Sequence, residues 1–291
     1  MAEEKTPTIS VVIPVKDEAD SIASVISSVR AALKSCNEPH EIVAVDDGST
    51  DGSRKIAEQA GARVVSHETG RGYGAALKTG IKSARGDSIV IIDGDGTYPA
   101  ESICEILDGL ESADMVVGAR VRKGAQIPAI RRPAKWFLQW LAGFLSGVKI
   151  HDLNSGLRAF RKHTVEDYLR VLPDRFSFTS TITLLMIGDG KSMKYVPIDY
   201  HKRSGRSKIV PSDAFSFLVL IIRTIMFFNP LKFFFPVGFV LFLVGAVKLS
   251  TDYLIYDRLS STSVLLILSA IQLWGLGFLA ELVLFLEQRR K

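Results

Sequence analysis

The chain has 291 residues, 47% of them hydrophobic, and 36 Lys and Arg against 31 Asp and Glu leave a formal charge of +5. That length allows one large domain or two ordinary ones, and the opening MAEEKTPT has neither the basic nor the apolar region of a cleavable signal peptide. The two cysteines, Cys36 and Cys104, have no Cys or His neighbour at metal-ligand spacing, which argues against a disulfide framework and a zinc site and fits a reducing compartment.

Apolar β-branched runs alternate with amphipathic segments over the first two hundred residues. Strands are predicted at ISVVIPV (9–15), EIVAVDD (41–47), ARVVS (62–66), SIVIID (88–93) and DMVVGAR (114–120), with helices over 19–33, 72–84 and 100–110. Strands apolar on both faces and separated by helices predict an α/β fold with a mostly parallel, doubly wound sheet. Such sheets bind ligands beyond the carboxyl ends of their strands. Asp46, Asp47, Asp93, Asp95 and Arg120 all stand at predicted strand ends. Farther on, 136–148 reads as a helix, LNSGLRAF (153–160) as a turn into a strand, 182–187 as a helix and MKYVPIDYH (193–201) as the last strand.

Beyond about residue 211 charge almost vanishes. The stretches 231–250 and 263–286 each reach the roughly 20 apolar residues needed to cross a bilayer. The segment 214–228 is shorter, carries Arg223 and stops at Asn229-Pro230, as expected of a helix lying in the membrane interface. The expected division is a catalytic domain over 1–211, an interfacial helix over 212–230 and a two-helix hairpin over 231–291. Basic residues precede the first span (Lys202, Arg203, Arg206, Lys208, Lys232) and follow the second (Arg289, Arg290, Lys291), whereas the connecting loop sets Arg258 against Asp252 and Asp257. The positive-inside rule then places the catalytic domain and both termini in the cytoplasm. Glu281, inside the second span, is expected at a helix contact or near the cytoplasmic end.

The stretch IVIIDGDGTYP drives a buried strand into two acids separated by one glycine. Neighbouring carboxylates repel unless a cation lies between them, and Mg²⁺ or Mn²⁺ prefers such oxygens and shares phosphate oxygens with the protein. A metal-bridged diphosphate is therefore the expected occupant, with Gly94 and Gly96 permitting close backbone approach. An acid at the end of the VDDGSTDGS strand, Asp46 or Asp47, can bind a ribose hydroxyl or the edge of a base. IPVKDE (13–18) offers Lys16, Asp17 and Glu18 to the same crevice. GRGYGAAL (70–77) is a glycine-rich turn before a helix but lacks the Walker lysine pattern.

Together IPVKDE, VDDGSTDGS, GRGYGAAL, the DGD pair, VGAR, NSGLRAF and RSGRSK resemble the family 2 glycosyltransferases with a GT-A fold, over roughly residues 9 to 210. Within them the chain is most similar to the polyprenyl-phosphate hexose synthases, the dolichyl-phosphate mannose synthase group and its bacterial relatives. That resemblance implies an inverting transfer of a hexose from a nucleoside diphosphate sugar to a dolichyl or undecaprenyl phosphate in the membrane, with no nucleic acid partner. Pro14, Lys16, Glu18 and Asp47 would hold the nucleoside. Asp93, Gly94 and Asp95 would meet the diphosphate, with Asp93 and Asp95 on a Mg²⁺ or Mn²⁺ ion. Thr97 stands where many dolichyl-phosphate enzymes have a glutamine on the metal. Arg203 and Lys208 would clamp the donor phosphates, and Arg120, Arg131 and Arg132, with Lys135 nearby, would hold the acceptor phosphate.

Transfer to a hydroxyl needs a general base. The helix reading FSFTSTITLLM (176–186) carries no acid, and no Gln-x-x-Arg-Trp motif occurs. A lipid phosphate is already anionic. Two rival readings are a transferase acting on a sugar or glycolipid hydroxyl, and a non-catalytic membrane scaffold that has kept the fold. Asp152, Asn154 and Arg158 are expected to face the sugar, and Trp136, Phe137 and Trp140 to sit at the interface beside the lipid. His67, His151 and His163 have no nucleophile paired with them in the sequence.

Overall fold

The computed structural model describes residues 7–121, 140, 143–144, 147–175, 177–201, 230–256 and 260–288. In chain order these form β1 (Ile9–Val15), α1 (Ile22–Cys36), β2 (His40–Asp46), α2 (Ser53–Gln59), β3 (Arg63–Ser66), α3 (Tyr73–Ser83), β4 (Ser88–Ile91), α4 (Ile103–Asp108), β5 (Met115–Ala119), β6 (Arg158–Arg161), α5 (Lys162–Glu166), α6 (Phe178–Gly188), β7 (Met193–Pro197), α7 (Pro230–Tyr256) and α8 (Ser261–Gln288). Among the described residues the strands make one sheet in the order β3-β2-β1-β4-β6-β5-β7.

Alternation along β1 shows why its run is apolar throughout. Val11 and Ile13 face one layer with Ile22, Ile26, Val29 and Leu33 of α1, while Val12 faces the other with Leu77 and Ile81 of α3. A strand covered on both faces has no place for a polar stripe. The sheet is mostly parallel, with β6 the exception: it runs antiparallel between β4 and β5, pairing Phe160 with Ile89 and Ala159 with Val116. Helix α1 begins three residues later than periodicity predicts. The amides of Glu18 and Ala19 are already taken by Ser53 Oγ (2.8 Å) and Asp51 Oδ2 (2.9 Å), which holds that stretch as a loop.

The expectation of two unpaired cysteines is corrected: Cys36 and Cys104 form a disulfide. Their separation of 68 residues carries no signal in the sequence, and only the packing of α1 beside α4 brings them together. Closing a loop of that length removes chain entropy from the unfolded state, about 4 kcal/mol in the chain-entropy account.

Glu41, at the amino end of β2, ties three segments together. It accepts hydrogen bonds from Ser10 Oγ (2.7 Å), the Arg85 amide (2.6 Å) and Arg63 Nε (3.0 Å). Burial opposes its charge, but these donors and the Arg63 cation outweigh it and hold its pKa below the usual carboxyl value. A carboxyl with a depressed folded pKa stabilises the fold fully above its unfolded value, about 4.5, and loses that contribution as the pH falls through the folded value. Glu41→Gln is therefore expected to unfold at lower temperature than the wild type at pH 7, with the gap closing below about pH 4.5. Thermal unfolding across that range checks it, and a gap independent of pH would rule it out.

The chain divides into two units, 1–140 with 148–220 and 141–147 with 221–291. In the second unit α7 and α8 form an antiparallel hairpin, of which Pro230–Ile255 and Ser261–Leu286 are each long and apolar enough to cross a membrane. Large side chains such as Phe239, Val240, Leu265 and Leu279 are exposed along it, as lipid-facing positions are and the core helices of a soluble protein are not. Where the helices meet, small residues let large ones in: Gly238 lies under Trp274, whose Nε1 donates to the Phe235 carbonyl (3.1 Å), and Gly245 lies against Ile267. Glu281 Oε2 is buried within the hairpin, and Lys248 pairs with Asp252 one turn away.

Candidate active site at the carboxyl end of the sheet

The loops after β1 and β2 brace each other. The Lys16 ammonium donates to the Gly48 carbonyl, the Asp17 amide to Ser49 Oγ (3.0 Å) and the Thr50 amide to Asp17 Oδ1 (2.9 Å). Asp17 adopts a left-handed backbone, φ 50°, which the reciprocal pair of hydrogen bonds with 49–50 supports. VDDGSTDGS thus works as a clamp on IPVKDE, and it presents Pro14, Lys16 and Glu18 along one rim. Glu18 accepts from Ser21 Oγ (3.4 Å).

Asp47 has a different place from the one its position suggests. It is buried, and Oδ1 accepts from the Arg71 amide (2.8 Å) and Oδ2 from the Gly72 amide (2.8 Å). His67 Nδ1 lies 2.7 Å from Oδ1, and His67 Nε2 lies 2.9 Å from Thr79 Oγ1. Burial raises the cost of its charge, but His67 and the two amides outweigh that and lower its pKa. The carboxylate therefore anchors the glycine-rich turn. An Asp-His-Thr array of this kind is a brace here, since Thr79 sits inside α3 and Asp47 is held by the loop amides.

That turn packs against the segment before α6. The Ala75 amide donates to the Asp174 carbonyl (2.8 Å), and a Cβ on Gly74 would lie 2.1 Å from the Pro173 carbonyl oxygen. Tyr73, between these contacts, reaches across to β4: its hydroxyl donates to Asp93 Oδ1 (2.8 Å).

Asp93 and Asp95 follow β4. Asp95 Oδ1 accepts from the Thr97 amide (3.1 Å) and Thr97 Oγ1 (2.6 Å), and Gly94 is locked by Ser21 Oγ on its carbonyl (2.8 Å). Thr97 is fully buried, so it orients Asp95. Burial, then the charge of Asp95, pushes the Asp93 pKa up to about 6, and the Tyr73 hydrogen bond and two arginines only partly offset this. A buried carboxylate whose charge is disfavoured beside a second carboxylate suits a divalent cation. No cluster of three or more His, Cys, Asp or Glu occurs among the described residues, so water and phosphate oxygens would complete the coordination of an ion held here.

Arg120 leaves the end of β5 and pairs with Asp152 through Nε (2.7 Å) and Nη2 (2.9 Å), while Asp152 also accepts the Arg120 amide (3.1 Å). The guanidinium lies 5.1 Å from the centre of the Tyr200 ring. Tyr98 packs edge-on to Tyr200, and its hydroxyl accepts the Gly156 amide (2.6 Å). Asn154 is exposed, whereas the expectation that Arg158 faces a sugar is corrected. Arg158 is fully buried, and its guanidinium donates to the carbonyls of Ser155 (2.6 Å) and Thr179 (2.9 Å) and to Thr183 Oγ1 (2.9 Å). A buried cation must find partners for its donors, and here two main-chain oxygens and a hydroxyl supply them, which ties the 153–156 turn to α6.

The structure thus brings Pro14, Lys16, Glu18, Asp47, Asp93, Gly94, Asp95 and Arg120 to one end of the sheet. Arg131, Arg132, Lys135, Trp136, Phe137, Arg203 and Lys208, like the predicted interfacial helix, lie outside the described residues. Trp140 is described and half exposed. Sequence reasoning passed over Tyr73, Tyr98 and Tyr200, and gave His67 no partner, where the structure pairs it with Asp47. GRGYGAAL does contain Tyr73, but its apparent message is the glycines.

The family model for glycosyl transferase family 2 matches residues 10–169, and that for the GtrB C-terminal hairpin matches 229–284. A dolichyl-phosphate hexose transferase from Haloferax volcanii is 30% identical, over 72% of this chain and 90% of its own. An undecaprenyl-phosphate 4-deoxy-4-formamido-L-arabinose transferase from Pseudomonas fluorescens is also 30% identical, over 94% of this chain and 84% of its own. Among solved structures, glucosyl-3-phosphoglycerate synthase from Mycobacterium tuberculosis in complex with UDP matches with a TM-score of 0.58 at 22% identity, covering 75% of this chain and 80% of that one. The same synthase with Mn²⁺, UDP and glucosyl-3-phosphoglycerate matches at 0.55 and 23% identity, over 76% and 78%. Strand-end acids on a mostly parallel sheet, the DGD turn and a family match over residues 10–169 lead to one conclusion: this chain is a glycosyltransferase and belongs to glycosyl transferase family 2.

Proposed function

We propose that the protein moves a hexose from a nucleoside diphosphate sugar to a polyprenyl phosphate at the cytoplasmic face of a membrane. The observation that carries this reading is that, among the described residues, each carboxylate near the strand ends is already held by a donor within the protein. Helix α6 contributes Thr, Ser and apolar residues and no acid. Among the described residues these carboxylates are engaged: Asp46 by the Ser49 amide, Asp47 by His67 and loop amides, Asp93 by Tyr73, Asp95 by Thr97 and, in the loop before β6, Asp152 by Arg120. A hydroxyl acceptor would need one of them to take its proton, whereas a phosphate monoester arrives already ionised. The hairpin and the polyprenyl-phosphate substrates in the relatives' names support the same acceptor.

In this mechanism a phosphate oxygen of the lipid attacks the anomeric carbon as the bond to the nucleoside diphosphate breaks, inverting that centre. The loops after β1 and β2 hold the nucleoside through Pro14, Lys16 and Glu18, braced by Asp47. Asp93, Gly94 and Asp95 meet the diphosphate. A Mg²⁺ or Mn²⁺ ion held by Asp93 and Asp95 would supply charge neutralisation for the leaving group. Arg203 and Lys208 are assigned to the same developing charge, since stabilising it is commonly the largest catalytic contribution. Arg120, Arg131 and Arg132 are assigned to the acceptor phosphate. For Arg120 the support is its largely buried guanidinium, already aimed by Asp152 and Tyr200. The catalytic domain over 1–211, an interfacial helix over 212–230 and the hairpin over 231–291 complete the proposed layout, and the basic residues flanking the hairpin support a cytoplasmic location for both termini.

The test is purified enzyme incubated with labelled GDP-mannose, UDP-glucose and UDP-N-acetylglucosamine, with and without dolichyl or undecaprenyl phosphate. The expected product is a sugar phosphoryl lipid of inverted configuration, formed only when the lipid phosphate is present. Equal transfer to a glycolipid hydroxyl without it would overturn the acceptor assignment.

A further inference from the structure

The two strand-end acids, Asp47 after β2 and Asp93 after β4, stand on different loops, yet one short segment joins them. Asp47 grips the amides of Arg71 and Gly72 (both 2.8 Å), and the next residue, Tyr73, gives its hydroxyl to Asp93 Oδ1 (2.8 Å). The main chain at Gly156 comes close to the other oxygen of the same carboxylate: a Cβ there would lie 2.3 Å from Asp93 Oδ2. The Gly156 backbone is itself pinned, its amide to Tyr98 Oη (2.6 Å) and its turn to α6 through Arg158. Asp93 is thus confined between a phenol and a side-chain-free stretch of backbone.

We propose that Tyr73 and Gly156 are positioning residues that hold Asp93 in the orientation it needs toward the donor's ion and diphosphate, and that the glycine-rich turn serves this purpose instead of cradling phosphate. Three features support the assignment. The turn is spent on protein contacts, with Asp47 on its amides and Pro173–Arg175 against Gly72 and Gly74. Gly72 and Gly74 are required because backbone comes so close, a Cβ on them lying 2.7 Å from the Asp174 oxygen and 2.1 Å from the Pro173 oxygen. And the two oxygens of Asp93 are met by two different segments, Oδ1 by the Tyr73 hydroxyl and Oδ2 by the Gly156 backbone. Partners that orient a metal-binding carboxylate commonly change metal affinity or activity 10- to 100-fold when removed.

The inference rests on the reading of Asp93 and Asp95 as the ion and diphosphate site, and its test separates the two. Tyr73→Phe removes the hydroxyl and keeps the ring. Gly156→Ala leaves the hydroxyl and forces Asp93 aside. Mn²⁺ binding is measured directly by electron paramagnetic resonance, with UDP or GDP and no acceptor, alongside kcat, the KM for nucleotide sugar and thermal unfolding in detergent. Both variants are expected to bind Mn²⁺ about 10-fold or more weakly and to lose about 10- to 100-fold in kcat, with KM for the donor within a factor of about three and the unfolding temperature unchanged. If the wild type binds Mn²⁺ with nucleotide and both variants match it in binding and kcat, the positioning role is wrong and the ion site stands. If the wild type binds no Mn²⁺ at all, both fall. If kcat drops only in step with the unfolding temperature while Mn²⁺ affinity holds, Tyr73 and Gly156 support the fold alone and the inference is overturned.

Discussion

Asp95→Ala is expected to lower kcat by about three orders of magnitude, and Asp93→Ala by a similar factor, with little change in thermal unfolding. The departing nucleoside diphosphate gains charge as the glycosidic bond breaks. Removing one group that stabilises such charge costs about 100- to 1,000-fold in turnover, close to 4 kcal/mol in the barrier. Neither carboxylate contributes much to the fold. Asp95 accepts from Thr97 two residues along its own turn, and Asp93, with its pKa pushed up to about 6, sits at a site where its ionised form is penalised. Loss of activity without loss of stability therefore separates this site from a structural acidic turn. Near-normal turnover in either alanine variant, measured with labelled donor and polyprenyl phosphate, would remove the ion assignment for that residue.

Asp152→Ala is expected to have the largest effect on stability, roughly 4 kcal/mol. Asp152 is fully buried, and it neutralises an arginine whose side chain is 12% exposed. Truncating the acid leaves Arg120 as an uncompensated, largely desolvated charge, which is the costly way to break a buried pair. Arg120→Ala is destabilising for the mirror reason. Adding Arg120→Ala to Asp152→Ala should restore part of the loss, so a double-mutant cycle on chemical unfolding would show a coupling of at least about 2 kcal/mol. Additive single effects would mean that the two charges are screened from each other and that the pair is not the rigid platform the geometry describes. The same cycle read in kcat bears on the acceptor assignment, because Arg120 freed from Asp152 loses its aim while keeping its charge.

Much of the layout is written locally. The apolar runs of β1, β2 and β4 mark their own strands because burial on both faces leaves no alternation to confuse the reading. The two spans are legible for a similar reason, since length and apolarity are properties of the segment itself. Boundaries were less legible where side chains from another loop claim a backbone donor, as Ser53 and Asp51 do at the start of α1. The antiparallel insertion of β6 also escaped the pattern: Arg158–Arg161 is a four-residue strand, and nothing in four residues states which neighbours it will pair with or in which direction.

The site shows the same division. Residue types at strand ends marked Asp47, Asp93, Asp95 and Arg120, because a doubly wound sheet collects its strand ends on one side. Their duties were decided elsewhere. Asp47 turned to the glycine-rich loop because His67 and two amides lie within reach, and Arg158 turned inward because three main-chain and hydroxyl oxygens surround it. The disulfide between Cys36 and Cys104 belongs to this second group. By itself, then, the sequence determined the main elements, the apolar hairpin and which acids and cations stand at strand ends, all of which depend on neighbours along the chain. Only the tertiary structure decided which acid meets which donor, since hydrogen bonds and ion pairs act over about 3 Å and that proximity arises between segments tens of residues apart.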